Sequence, residues 1–117
     1  MAIAITLKEY LEHQHIDFDV IEHRQTDSTL ETCEAAHIPG DRMAKSILLE
    51  DDDSYLMAVI PATHRLQLDH LNETTGRQLE LAREDELVEA FADCELGAVP
   101  PTGEAYGIRT IVDAHLI

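Results

Sequence analysis

Lys45 sits inside an apolar run, in the stretch MAKSILLEDDDSYLMAVIPA from Met43 to Ala62. It is one of only two lysines in the chain, the other being Lys8. An ammonium beside a core strand costs free energy unless it is paired or its head reaches solvent. One reading has the stem covering a sheet and the head meeting one of the chain's many acids. The other makes the head a point charge that holds a phosphate or polarises an ester.

Leu96-Gly-Ala-Val-Pro-Pro-Thr-Gly103 is the second unusual segment. Gly97 lets a ligand approach the backbone closely. Pro100 and Pro101 stiffen the C-terminal half of the segment and cannot donate. Such a loop either presents amides to a carbonyl or a developing oxyanion, or is a rigid connection between a helix and a strand.

Other reactive side chains form no pattern in the sequence. On a helix His13 and His15 lie about 200° apart, a poor metal pair. No CxxC or Cys/His zinc spacing occurs, and no GxSxG elbow marks a nucleophile. Cys33 falls on the inner face of an expected helix, as a core residue would. Asp51–Asp53 lacks the further spacing of a calcium loop and reads as a solvated turn.

The elements that must position these residues are read from pattern. Ala44–Leu49 and Tyr55–Ala62 read as two strands joined by the acidic turn Asp51–Ser54, a hairpin signal. Thr6–Glu9 is a capping box, predicting a helix to about His15, and Ser28–Glu31 is a second, predicting a helix to about His37. Ile16–Ile21 alternates loosely as a strand would, and His23–Asp27 reads as a loop. Pro39-Gly40 ends the second helix, and Asp41 caps a short turn. Leu66–Leu68 reads as a short extended piece. Asp69 is placed as the cap of a helix that stops at Gly76. Gln78–Leu81 is a brief strand. Glu84–Phe91 is a helix with Leu87, Val88 and Phe91 on one face. Asp93–Gly107 is a loop, and Arg109–Asp113 a final strand. This irregular alternation, with a hairpin and no glycine-rich dinucleotide turn, predicts an α/β chain of the α+β type. Its mixed, largely antiparallel sheet has helices packed outside.

A chain of 117 residues with 44% hydrophobic content predicts one folded domain. Cys33 and Cys94 are expected to be free thiols in a reducing cytoplasm. No apolar run approaches the roughly 18 residues of a membrane helix. The formal charge of −16 argues against unaided capture of nucleic acid. Acids crowd Glu9–Glu34, Glu50–Asp53 and Glu84–Glu95. The acid-free stretches hold Arg42, Lys45, His64, Arg65 and Arg109. Core strands lack charges in any case, yet convergence of these residues would give one neutral-to-basic face on an acidic body.

Four segments occur in a recognisable order: Met43-Ala-Lys-Ser-Ile-Leu-Leu49, Ala58-Val-Ile-Pro-Ala62, Gly97-Ala-Val-Pro-Pro101 and Thr110-Ile-Val-Asp113. With Glu22-His23-x-x-Thr26 before them, they resemble the YbaK/EbsC family, free-standing relatives of the bacterial prolyl-tRNA synthetase editing domain. The likeness extends over nearly the whole chain. It implies hydrolysis, in trans, of the ester joining a wrong amino acid to the 3′-terminal adenosine of a tRNA, often proline tRNA. Lys45 matches the family's functional lysine, which contacts the acceptor end. Gly97–Pro101, with Ala98, Val99 and Pro100, matches its GxxxP loop, whose backbone binds the aminoacyl group. The resemblance implies no metal, no cofactor and no side-chain nucleophile; water or a group of the substrate attacks.

The candidate pocket walls are Thr26, Leu30, Met43, Ile60, Ala62 and His64. Family domains usually run further at the C-terminus, so the expectation is a single editing domain over residues 1–117 lacking that part. An unfinished sheet has an open edge that invites a homodimer. The acidity suggests delivery of substrate by prolyl-tRNA synthetase or an elongation factor. A non-catalytic module binding a nucleotide, an aminoacyl group or a protein on the same fold is the other expectation.

Overall fold

The computed structural model describes residues 4–21, 29–94 and 99–116. In these, a four-stranded sheet is built on the expected hairpin. β1 (Ala44–Glu50) and β2 (Tyr55–Pro61) pair antiparallel from Ala44↔Pro61 to Glu50↔Tyr55. The turn between them is organised by one side chain. Asp51 Oδ1 accepts from the amides of Asp53 and Ser54, at 2.9 and 3.0 Å. Arg77 grips the same carboxylate through Nε and Nη2, at 2.7 and 2.9 Å, so the turn is an anchored ion pair and not merely solvated. The guanidinium, and then the turn amides, hold Asp51 well below the usual carboxylate range.

β3 (Glu80–Leu81) adds antiparallel to β1, and β4 (Thr110–Val112) adds parallel to β2, giving the order β3-β1-β2-β4. The mixed α/β class and the largely antiparallel sheet are as expected.

Strand alternation divides the core in two. Leu48, Met57 and Val59 face one side, where Phe91 and Ile108 join them. Leu49, Leu56 and Ala58 face the other, with Leu79. Leu49 and Met57 are fully buried, each contributing about 1.5–3 kcal/mol. α4 (Glu84–Ala90) covers the first side through Leu87, and α3 (Leu68–Thr75) covers the second through Leu68 and Leu71. α1 (Ile5–His13) and α2 (Thr29–Ala36) complete the helices. Cys33 is buried on α2, as a core residue should be.

Several local expectations are corrected. Thr6 does not cap α1: the helix starts at Ile5 after Ala4, and the Thr6 amide instead donates to Asp93 Oδ2 at 2.7 Å. Ile16–Ile21 forms no strand, because no strand among the described residues pairs with it, and Ile16, Phe18, Val20 and Ile21 are exposed. The short extended piece is cut back to the irregular residues before Leu68, because α3 begins at Leu68 after Gln67, with Asp69 inside its first turn. Asp41 likewise lies within the short 3-10 turn Gly40–Arg42, after Pro39, rather than before it. Val88 is exposed, since α4 turns Leu87 and Ala90 inward, with Phe91 just after the helix. The 93–107 stretch contains a 3-10 turn, Gly103–Tyr106. Gly76 ends α3 at φ 69°, the left-handed stop expected of it. The Ser28 capping box and the His23–Asp27 loop lie outside the described residues.

Candidate functional site at the open end of the hairpin

Lys45 is the second residue of β1 and pairs with Ile60. It shares the parity of Ile47 and Leu49, so its stem starts from the sheet face that α3 covers. Its head reaches past the end of β2, where Nζ donates to the carbonyl of His64 at 2.9 Å. Among the described residues it forms no ion pair. The partner is thus a backbone oxygen, not the acid that the bland reading supplied.

That carbonyl is held in place by a tight turn. The His64 amide donates to Pro61 at 2.9 Å, and the Ala62 amide donates to Met43 O at 2.8 Å, closing the hairpin's open end. Met43, Lys45, Ile60, Ala62 and His64, five of the sequence-predicted site residues, therefore meet in one place. Ile60 and His64 also line a cavity of about 570 Å³ between α3 and β4. Its walls are apolar (Ala58, Leu66, Leu71, Ile111), and its rim carries Arg65, His70 and Asp113. This volume lies within the roughly 300–1,000 Å³ range of small-molecule sites.

The charges converge in part. Lys45 and Arg65 gather around the His64 turn, and Arg42 precedes Met43 in the same hairpin end. Arg109 does not join them. Its carbonyl accepts from the Met57 amide, which puts it at the far end of β2.

The proline loop is a separate matter. Gly97 and Ala98 lie outside the described residues, as does Thr26; Leu30 belongs to α2, with its side chain outside them too. Val99 packs with the Met57, Val59 and Phe91 cluster, on the face opposite the one from which Lys45 starts. Pro100 is buried and Pro101 exposed. Next to them the hydroxyl of Thr102 is buried without a partner among the described residues, as is that of Ser46, which has the parity of Leu48. Buried hydroxyls in this condition are atoms that a bound ligand or water satisfies.

Sequence reasoning missed the C-terminal contribution. Asp113 follows β4, and its amide donates to Val59 O at 2.8 Å. Its Oδ1 accepts from the His115 amide at 2.8 Å and lies 2.7 Å from His115 Nδ1. The His115 amide, and then its ring, hold the Asp113 carboxyl below the ordinary value. The rings of His64 and His115 meet edge to face, with centroids 5.1 Å apart. The signals in the sequence were the segment Thr110-Ile-Val-Asp113 and the Asp-x-His spacing at the end of a strand; the partner His64 is remote in the chain.

Comparison with known proteins agrees with this architecture. The chain superposes on the crystal structure of the hypothetical protein APE2540 with a TM-score of 0.80 at 24% identity, covering 92% of this chain and 73% of the other. A scaffold protein from work on computational epitope grafting gives a TM-score of 0.78 at 16% identity, covering 97% and 72%. A protein from Marinobacter aquaeolei VT8 gives 0.71 at 21% identity, covering 98% of this chain but 23% of that one. These likenesses show the fold. No curated protein matches the sequence. A family model described as an aminoacyl-tRNA editing domain matches residues 23–117, which take in the hairpin, the lysine and every strand of the sheet. The chain belongs to the aminoacyl-tRNA editing domain family.

Proposed function

We propose that this domain is a trans-editing hydrolase that deacylates mischarged aminoacyl-tRNA at the 3′-terminal ester, with proline tRNA as the carrier. The observation that carries the reading is Lys45, a cation held by the backbone carbonyl of His64, a residue that itself lines an apolar cavity, in a chain of the editing family. An aminoacyl ester is already activated, so the enzyme need only orient water and stabilise an oxyanion. Lys45 is assigned to the acceptor end, and the backbone of the Gly97–Pro101 loop, whose Val99 packs on the opposite face of the sheet, is assigned to the aminoacyl group on the family resemblance alone. Pro100 and Pro101 donate nothing and stiffen the loop. Thr26, Leu30, Met43, Ile60, Ala62 and His64 are assigned to the pocket wall. Pocket size discriminates between amino acids, where one methylene is worth about 1–3 kcal/mol, which is why a separate editing step is useful.

The reading requires neither cofactor nor metal. It places the protein in the cytoplasm, with prolyl-tRNA synthetase or an elongation factor delivering a substrate that the charge of −16 repels at long range. β4 is an edge strand in the described sheet, and pairing of two copies along it is the corresponding dimer.

The test is a panel of proline tRNAs mischarged with alanine, cysteine, serine or threonine. Release of one amino acid by the unmodified chain, lost in Lys45→Ala, supports the deacylase. Tight binding of an aminoacyl-adenosine analogue with no release from any tRNA supports the second reading, a non-catalytic nucleotide-, aminoacyl- or protein-binding module.

A further inference from the structure

His64, Asp113 and His115 offer one ligand atom each, and these three atoms all lie within 4.8 Å of one another. From this juxtaposition we propose that the exits of β2 and β4 form a binding site for a divalent transition-metal ion, with zinc as its simplest occupant. The donor set is two imidazoles and a carboxylate, which suits zinc and its first-row neighbours and not calcium or magnesium, which take oxygen ligands. Zinc sits about 2.0–2.2 Å from nitrogen and carboxylate ligands, so in tetrahedral geometry its donors stand roughly 3.3 Å apart. The three ligand atoms lie within 4.8 Å of one another, so the set draws in by about 1.5 Å at most to reach that spacing.

Each ligand is anchored by a different bond. The His64 amide holds Pro61 O and its carbonyl takes the Lys45 ammonium; the Asp113 amide holds Val59 O; the His115 amide holds Asp113 Oδ1. The two loops leave neighbouring parallel strands in register, Val59 opposite Val112, so the ligands approach from side by side. Three protein ligands leave a fourth position for water or a substrate oxygen. His64 and Asp113 also border the cavity. The chain's charge of −16 favours a cation; the Lys45 and Arg65 charges nearby oppose it and set the affinity below that of a closed structural site. The ion would join the turn after β2 to the turn after β4.

The experiment is zinc titration of the chelator-stripped full chain by calorimetry, with no tRNA present, so its outcome is independent of the editing reaction. One equivalent of Zn²⁺ is expected to bind. His64→Ala and His115→Ala should each weaken binding by at least about tenfold, whereas His70→Ala, on the cavity rim but outside the triad, leaves it unchanged. A second readout guards against misfolding: in the unmodified chain, the imidazole nitrogens of His64 and His115 shift on zinc addition and those of His70 do not. Absence of stoichiometric binding, affinity unchanged in His64→Ala and His115→Ala, or ring shifts confined to other histidines would overturn the site.

Discussion

The Lys45 ammonium and the His64 carbonyl are 2.9 Å apart, and this bond joins the first strand of the hairpin to the turn after the second. The lysine is therefore positioned, not free to sweep the surface. Replacing it by alanine should lower the rate of ester hydrolysis by about 10²-fold, the loss expected when the group that positions the acceptor end is removed and the ester is misplaced. Far-UV circular dichroism of Lys45→Ala should match that of the unmodified chain, because the two hydrophobic clusters do not include the lysine. A variant with full activity would remove Lys45 from the mechanism.

Gly103 marks a place where two segments touch. A Cβ there would collide with Thr110 Oγ1, and would sit 3.1 Å from Ile108 O and 3.3 Å from Met57 Cβ. Gly103→Ala should destabilise the fold by about 1–3 kcal/mol in urea unfolding. Adding Thr110→Ala should recover part of that loss, since the hydroxyl is the nearest obstruction, and the two changes should be non-additive. Additive losses would show that the strain lies elsewhere.

Asp93 ties α1 to the end of α4. The Thr6 hydroxyl and amide, and then the Tyr106 hydroxyl, hold its carboxyl down to about 2. Its folded pKa is below the unfolded value near 3.9, so its stabilisation is present above that pH and fades as pH falls toward 2. The melting temperature of Asp93→Asn should lie below that of the unmodified chain at pH 6, and the gap should close as the pH drops through 4 toward 2. A gap independent of pH would assign the effect to packing.

Leu49 is fully buried on the α3 side, among Leu56, Ala58 and Leu79. Leu49→Ala should cost about 2–5 kcal/mol, by lost transfer free energy and the cavity left behind. Denaturant melts would show the midpoint falling with little change in slope. A loss below about 1 kcal/mol would mean that the sheet collapses onto the vacancy.

The hairpin was legible because its signals are local: apolar runs, an acidic turn and an embedded lysine. The αL stop at Gly76 and the α4 helix are local in the same way. Ile16–Ile21 misled because alternation says nothing about whether a pairing strand exists. Thr6 misled because its amide found a distant carboxylate in Asp93 rather than a helical cap. In the candidate site, Met43, Ile60, Ala62 and His64 were readable as neighbours of one hairpin end. Asp113 and His115 were not, since only the parallel pairing of β4 with β2 brings them there. Parallel neighbours leave no turn signal between them.

That pairing also orders events in time. β1 and β2 close around a four-residue turn, whereas Met57 and Thr110 are more than fifty residues apart. Hairpins form in about 1–10 μs, and long-range contacts wait on the entropy of loop closure. The Lys45–His64 contact thus belongs to the early, local part of the folding sequence, and the Asp113–Val59 and His64–His115 contacts arrive with the last strand. The three-residue edge strand β4 is then also easily detached in the native state, so amide exchange at Ile111 should outpace that at Leu49, which lies within the hairpin.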